Sequence, residues 1–404
     1  MSAQPLGAFP YPAGLMLVPE DGGEEAAAAA ASLIHGRIPA PWPAAMEPHR
    51  LAHLGDVEAA LGAIDGTHAF SAYNRFVLGD RALAPAAVAA SLPAQLRPLV
   101  DLVVFTNGGS DRPPEVPEAG DEVVKALILA ARASYEMTRA RADITVELLR
   151  QAAASVTSQA PTLAALLIGN AGTVSYSNLG NLEQARADLT AATAALTDTD
   201  LTLSRAELHY QLGTVEHEFA AGSGGSLQVA MHQYYTALQL ITRDDSPFLW
   251  ASAQLNLATA YLASPMVQAS DTLRTGIAIQ ALRAALEVFT ADQHPAEWAT
   301  ATLNLANALI YAPSVKQGDN LVEAVELYER VLELRGRERD PLGRARVLAN
   351  QGNALAHLGI FDQAKAKLFE ARFLFEEHLD HDAALAVRSV LDEITKSTTM
   401  QRAG

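Results

Sequence analysis

The sequence Asn304-Leu305-Ala306 belongs to a pattern that recurs between Ser204 and Arg372. Each copy has an amide, then an anchor that is leucine in three copies, then a small residue. The copies are Gln211-Leu212-Gly213, Asn256-Leu257-Ala258, Asn304-Leu305-Ala306 and Asn350-Gln351-Gly352. The anchors at positions 212, 257, 305 and 351 are 45, 48 and 46 residues apart. Self-similarity at such a period is typical of proteins built from stacked repeats, so the sequence predicts a solenoid.

A second pattern follows each copy and predicts the other helix of a pair. It has an alanine, a tyrosine or leucine four positions later, and a small or β-branched residue seven positions later. The instances are Ala230/Tyr234/Ala237, Ala278/Leu282/Ala285, Ala324/Tyr328/Val331 and Ala364/Leu368/Ala371. Antiparallel helices approach closely only where the crossing side chains are small, and a larger one there costs about 1–3 kcal/mol. We therefore expect the small residue of each first pattern to face the alanine of the second.

These patterns resemble the tetratricopeptide repeat family. Ile360-Phe361-Asp362-Gln363-Ala364 after Gly359, with Leu368 and Ala371, is similar to the family's turn and second helix. Trp250-Ala251 and Trp298-Ala299 open two first helices alike, which resembles a bacterial variant with long intra-repeat loops. The chain departs from the usual period of about 34 residues. We attribute the departure to inserts at Ala221–Ser226, Ser264–Gly276 and Ala312–Asp319.

The resemblance implies an all-α fold. It implies a right-handed superhelix of antiparallel helix pairs, with a degenerate helical N-terminal part and a C-terminal capping helix. We expect a Pro/Ala-rich, mostly mobile leader over residues 1–48, a helical region with degenerate repeats over 49–158, the solenoid over 159–397 and a tail over 398–404. The alternative for the leader is that Trp42 and its neighbours pack back onto the solenoid or onto a partner. A shared fold indicates little about a particular function.

Composition excludes several kinds of chemistry. The 404 residues contain no cysteine, which excludes disulfides, thiolate metal sites and cysteine nucleophiles. The formal net charge is −17, which disfavours nucleic acid because phosphate contacts need clustered lysine and arginine. It also disfavours an anionic membrane surface. A neutral or basic protein or extended peptide is the partner that this charge favours, and pairing of two copies stays open.

Targeting signals are not evident in the sequence. No apolar run approaches the roughly 20 residues that a membrane span requires. Met1–Gly14 lacks a basic region followed by an apolar core, which a secretion signal would have. We therefore expect a soluble cytoplasmic protein.

A search for catalytic motifs favours a protein that is not an enzyme. Gly222-Ser223-Gly224-Gly225 lacks the lysine that follows a phosphate-binding loop. No nucleophile elbow and no paired zinc-binding histidines of the protease type occur. The densest group of acidic residues and histidines, Glu376–Asp382, falls at a turn, where we expect a solvated surface. We predict no catalytic residues, no metal site and no cofactor.

The most informative polar residues are the amides of the first pattern. The resemblance implies that first helices line a concave groove, so Gln211, Asn256, Asn304 and Asn350 would stack along it. A carboxamide both donates and accepts, so it can bind the N–H and C=O of a peptide together. Asn307 and Asn353, three residues further on, extend the row. Arg346, one turn before Asn350, is suited to a carboxylate of the partner.

Two readings of these amides remain open. In the first, they hold an extended peptide by its main chain, as the resemblance implies. In the second, they bond to the backbones of neighbouring helices and fix the superhelix. The first reading predicts a non-catalytic scaffold, such as an assembly factor or chaperone for an enzyme complex. The alternatives are a regulator that senses a peptide or ligand, and an enzyme with a site between the N-terminal helices and the solenoid, for which no residue set stands out.

Overall fold

A computed structural model describes residues 5–18, 23–66, 70–223, 225–264, 271–312 and 317–403. Within these ranges the regular structure is helical, apart from one antiparallel bridge between Pro5 and Leu17. The chain divides into two compact units, residues 1–224 (unit 1) and 225–404 (unit 2). The expected boundaries near residues 48 and 158 therefore lie inside unit 1, and the expected solenoid range is shared between the units.

Unit 1 begins with short helices and continues with longer ones that pack in sequence. Its three 3₁₀ turns are Ala13–Leu15, Ala44–Met46 and Ala94–Leu96. Its α-helices are α1 (Gly23–Ile34), α2 (Glu47–His53), α3 (Val57–Gly62), α4 (Ser71–Val77), α5 (Pro85–Ser91), α6 (Pro98–Thr106), α7 (Glu122–Thr138), α8 (Ala142–Val156), α9 (Pro161–Ser177), α10 (Leu182–Leu196) and α11 (Thr202–Ser223). From α7 to α11, each helix packs against the next one in the chain.

Unit 2 consists of α12 and three helix pairs, followed by one further helix. The helices are α12 (Leu227–Leu240), α13 (Pro247–Ala263), α14 (Asp271–Leu286), α15 (Pro295–Tyr311), α16 (Gln317–Leu334), α17 (Pro341–His357), α18 (Phe361–Glu377) and α19 (His381–Ala403). We call α13, α15 and α17 the first helices of unit 2, and α14, α16 and α18 the second helices. Neighbouring first helices also touch each other directly, α13 with α15 and α15 with α17. The expected all-α stack of antiparallel helix pairs is confirmed.

The predicted close crossing between Gly352 and Ala364 is confirmed. A Cβ atom added to Gly352 of α17 would lie 2.6 Å from Leu368 Cγ and 3.2 Å from the Ala364 carbonyl oxygen of α18. Gly172 of α9 makes the same crossing in unit 1, where an added Cβ would lie 3.2 Å from the Ala185 carbonyl oxygen. Glycine is required at these points because the partner helix occupies the space of a side chain.

Neighbouring second helices are joined by ion pairs of long side chains. Arg283 of α14 lies 2.8 Å from Glu323 of α16, and Lys367 of α18 lies 2.9 Å from Glu329 of α16. Gln351 of α17 also donates to Glu329 at 2.7 Å. The hydrogen bond from Gln351, followed by the one from Lys367, lowers the pKa of Glu329. The anchor Gln351 of α17 is therefore a buried amide that bonds to α16, the second helix of the preceding pair.

The predicted capping helix is confirmed, but it is longer than expected. Val387, Leu391 and Ile394 of α19 are buried against unit 2, as the amphipathic pattern indicates. The helical backbone continues to Ala403, so the expected tail over 398–404 is helical up to that residue. No proline or glycine interrupts the sequence between Thr395 and Ala403, which explains the extension.

The predicted inserts are partly helical. We expected Ser264–Gly276 and Ala312–Asp319 to lie between helices, but α14 begins at Asp271 and α16 at Gln317. Likewise α11 extends to Ser223, inside the insert expected at Ala221–Ser226. Residues 224, 265–270 and 313–316 lie outside the described residues. A single glycine inside a helix costs only about 1 kcal/mol relative to alanine, so Gly276 did not end the helix.

The expectation of a mostly mobile leader over residues 1–48 is corrected. Of the leader residues that the structure describes, Met16, Leu17 and Met46 are fully buried in unit 1, and Leu33 is nearly so. Trp42 packs against the same core, whose buried residues lie mainly before residue 159, where the solenoid was expected to begin. Prolines break helices, but they do not prevent a non-helical segment from burying its apolar side chains. Across the described residues, no helix is both long enough and apolar enough to cross a membrane.

Candidate functional site

The predicted row of amides lies at the margin of the buried stripe of the first helices. The anchors Leu257, Leu305 and Gln351 are buried, and the amide before each of them is half-buried. Successive residues of a helix are about 100° apart around its axis, so a residue next to a buried anchor reaches the edge of the buried face. The local sequence therefore keeps Asn256, Asn304 and Asn350 accessible from one side.

Hydrogen bonds between side chains connect this row across neighbouring first helices. The Asn304 carboxamide of α15 donates to Thr259 Oγ1 of α13 at 3.3 Å. The Asn350 carboxamide of α17 donates to Asn307 Oδ1 of α15 at 3.0 Å. Each acceptor is three residues beyond the amide of its own helix, so one arrangement occurs twice. The reading in which the amides connect neighbouring helices has support, although the acceptors are side chains rather than backbones.

A buried tyrosine fixes the orientation of Asn307. Burial raises the pKa of Tyr328, so its hydroxyl stays protonated. That hydroxyl donates to Asn307 Oδ1 at 2.6 Å. With its oxygen accepting from Tyr328 and Asn350, the Asn307 carboxamide directs its two N–H donors elsewhere. Asn304 and Asn350 each use one donor in the bonds above and keep an oxygen that can accept.

A cavity of about 290 Å³ opens beside these amides in unit 2. It lies between α13, α14 and α15, and Asn304 and Asn307 both line it. The rest of the lining is mainly aromatic, apolar or hydroxyl-bearing, with one arginine: Tyr261, Leu262, Ser264, Arg274, Thr275, Ala308 and Tyr311. The cavity thus combines hydrogen-bonding amides with two tyrosine rings, a lining that suits a peptide segment or a small polar ligand.

The aromatic part of the lining is held by a tyrosine pair. The hydroxyls of Tyr235 and Tyr261 lie 2.8 Å apart and share a hydrogen bond. Burial raises the pKa of Tyr235 to about 12, and the bond to Tyr261 adds to the effect. The Tyr235 hydroxyl therefore stays protonated at physiological pH. Tyr311, which lines the cavity from α15, is 72% exposed, so its ring is available to a ligand.

The structure brings together only some of the predicted partner-binding residues. Asn304 and Asn307 share the cavity, and Asn350 bonds to Asn307. Asn256 and Asn353 are half-buried and do not line the cavity. Arg346 is exposed, and among the described residues no carboxylate lies within ion-pair distance of it.

Gln211 belongs to a different unit from the other predicted residues. It is half-buried on α11, which belongs to unit 1, whereas the cavity belongs to unit 2.

Of the nine residues that line the cavity, only Asn304 and Asn307 were predicted from the sequence as site residues. Tyr311 follows Asn304 and Asn307 at helical spacing, so the pattern of α15 alone could have indicated it. Tyr261 and Arg274 reach the cavity from two other helices, and the sequence contains no signal for that proximity. No group of three or more histidine, aspartate or glutamate residues in the described part of the chain is arranged to hold a metal ion.

Comparisons with known proteins give a similarity of fold only. No model of a known protein family matches the chain, and no curated protein matches it. Among solved structures, the chain is similar to the crystal structure of a Rap protein complexed with competence and sporulation factor, with a TM-score of 0.43 and 12% sequence identity. The similarity covers 88% of this chain and 97% of that chain. The repeated helix pairs are established by the helix packing described above.

Proposed function

We propose that the protein is a non-catalytic scaffold that binds an extended segment of a partner protein along the first helices of unit 2. The observation that carries the proposal is the cavity shared by Asn304 and Asn307, with Asn350 bonded beside them. Their remaining donors and acceptors match the alternating C=O and N–H groups of an extended main chain. Tyr261 and Tyr311 supply an apolar surface for one side chain of the partner.

The net negative charge of the chain indicates which charge its partner carries. A net charge of −17 repels acidic segments and attracts basic ones over several ångströms. We therefore expect a neutral or basic peptide, and we expect neither nucleic acid nor a membrane surface. A role in the assembly of an enzyme complex is consistent with such binding, because an assembly factor holds its client without chemistry.

The test compares two double variants of the full chain. Peptides selected for binding from a random library are titrated by fluorescence anisotropy against the wild type and against Asn304→Ala/Asn350→Ala. Each lost hydrogen bond contributes about 1 kcal/mol, so the affinity should fall about tenfold or more. The matched control is Asn170→Ala/Gln280→Ala, which removes an exposed amide of α9 in unit 1 and an exposed amide of α14 outside the cavity lining.

Thermal unfolding is measured for all three proteins, because Asn304 and Asn350 also connect neighbouring helices. Equal affinities of the wild type and the Asn304/Asn350 variant, with both proteins folded, would place the binding surface elsewhere. Loss of affinity in the control variant as well would show that the assay does not report on the cavity.

A second candidate is a regulator that senses a small ligand. The observation that favours it is the cavity volume of about 290 Å³, near the lower end of what small-molecule sites occupy. Thermal-shift screening of small aromatic and polar compounds distinguishes the candidates. A compound that stabilises the wild type but not a Tyr311→Ala variant would favour the sensor.

A further inference from the structure

Residues 5–18 form a compact segment in unit 1, which we call the plug. It folds back on itself, with the Gly7 N–H donating to the Gly14 carbonyl oxygen at 2.8 Å and a bridge between Pro5 and Leu17. Met16 and Leu17 have no exposed surface, and Leu6 and Phe9 are also buried. The plug therefore has internal order of its own, and it places apolar side chains in the core of unit 1.

Side chains of the helices around the plug form hydrogen bonds with its main chain. The Asn74 carboxamide of α4 accepts from the Leu17 N–H and donates to the Leu17 carbonyl oxygen, both at 2.8 Å. The Tyr73 hydroxyl donates to the Leu15 carbonyl oxygen at 3.0 Å. His49 Nε2 of α2 lies 3.1 Å from the Leu17 carbonyl oxygen. A carbonyl oxygen only accepts, so Nε2 carries the proton.

These contacts resemble the way a protein holds a peptide ligand. Groups that bond both the N–H and the C=O of one residue bind an extended strand through its main chain, while apolar pockets select its side chains. One side chain of the plug adds a specific polar contact. The Tyr11 hydroxyl lies 2.8 Å from the Val77 carbonyl oxygen and 2.9 Å from Asn107 Oδ1, and its proton is shared between these acceptors.

We propose that the plug is a tethered ligand, and that unit 1 contains a second peptide-binding site, which the plug occupies. The site consists of Asn74, Tyr73 and His49, with the apolar pockets of Leu15, Met16 and Leu17. Its occupant is residues 5–18 of the same chain, which an identical peptide supplied separately can replace. The proposal does not depend on the unit 2 cavity, because it involves different residues in a different unit.

The test uses the full chain, cut once. Residues 19–22, between the plug and α1, are replaced by the recognition sequence of a site-specific protease, and the purified protein is cleaved. We expect the plug to stay with the protein during gel filtration. A fluorophore-labelled synthetic peptide of residues 1–18 should then exchange into the cut protein, whereas the uncut protein should exclude it.

Two variants test the contacts separately. In the peptide, Gly14→Ala places a methyl group against the Phe9 carbonyl oxygen, so the plug cannot keep its shape. In the protein, Asn74→Ala removes both bonds to Leu17. Each should weaken binding of the labelled peptide by about tenfold or more. The control Asn304→Ala in unit 2 should leave peptide exchange unchanged, which separates this proposal from the function proposed for the cavity.

Two outcomes would overturn the proposal. One is a cut protein that loses the plug without a change in thermal stability and does not bind the peptide. The other is a plug that stays for days without exchanging, as an ordinary core segment would. If the cut protein precipitates, hydrogen exchange of the uncut chain tests whether the plug is a separable ligand. The Leu17 amide should then exchange faster than the amides of α9, and equal rates would count against a separable ligand.

Discussion

At the scale of single residues, the carboxamide is used in two different ways. Asn74 bonds both main-chain groups of Leu17, which is how we propose that a partner peptide is held in unit 2. Asn350 bonds the side chain of Asn307 instead and joins two helices. The difference lies in what each amide faces: an extended segment in the first case and a parallel helix with no free N–H groups in the second. One residue type thus serves recognition and architecture.

His49 gives a prediction about pH. Burial lowers its pKa from 6.5 to about 4, although the bond to Leu17 opposes the shift. The unfolded chain therefore takes up a proton at a higher pH than the folded one. The stabilisation is complete above pH 6.5 and is lost as the pH falls towards 4. At about 1.4 kcal/mol per pKa unit, the loss is about 3 kcal/mol in total.

Urea unfolding between pH 7 and pH 4 measures this effect. The control is His49→Gln, whose side-chain amide can also donate to Leu17 but does not titrate. The variant should lose less stability than the wild type over this range. An equal loss of stability in the two proteins between pH 7 and pH 4 would show that His49 is not the group responsible.

At the scale of helices, the repeated part of the fold could be predicted from the sequence. Its period, its small residues at crossings and its prolines at helix starts are local signals. The plug could not be predicted in this way, because Leu17 meets Asn74 across 57 residues of sequence. The prolines of the leader indicate only that a helix is excluded, and they contain no information about burial.

The candidate site, too, could be predicted only where its residues are close in sequence. Asn304 and Asn307 lie on one helix, and their spacing indicated a shared face. Arg274 belongs to the cavity only because α14 begins at Asp271, within the residues that we had expected to form an insert. The sequence analysis therefore missed Arg274 because it placed residues 264–276 between helices, whereas α14 begins inside that range.

Two glycine-to-alanine changes should have opposite effects on stability. Gly352→Ala puts a methyl group 2.6 Å from Leu368 Cγ and should lower the free energy of unfolding by about 1–3 kcal/mol. Gly276→Ala lies inside α14 with nothing within 4 Å of the added methyl group. It should raise the free energy of unfolding by up to about 1 kcal/mol, since alanine favours helix. Chemical denaturation measures both, and a stabilised Gly352→Ala would mean that α17 and α18 do not cross closely.

At the scale of the whole molecule, the two units have separate hydrophobic cores. The core around Ala306 and Leu368 contains buried residues of unit 2 only, whereas the core around Leu17 and Tyr73 contains residues of unit 1 only. The apolar burial in each of these two cores, a main stabilising contribution, therefore comes from one unit. A change in one core should be felt mainly in the same unit.

Hydrogen exchange with mass spectrometry tests this separation with two reciprocal variants. Asn74→Ala should speed amide exchange in residues 1–224, and Gly352→Ala should speed it in residues 225–404. Each variant serves as the control for the other. Faster exchange throughout the chain in either variant would show that the units unfold as one body.

The ion pairs between neighbouring second helices have a consequence for unit 2 as a whole. Arg283 with Glu323, and Lys367 with Glu329, connect one layer by charge, whereas uncharged amides connect the first helices. Dissolved ions screen charged contacts near a surface and leave neutral hydrogen bonds almost unaffected. Higher ionic strength should therefore weaken the contacts between second helices more than the contacts between first helices. We expect the curvature of the helix stack in unit 2 to depend on the solvent as well as on the sequence.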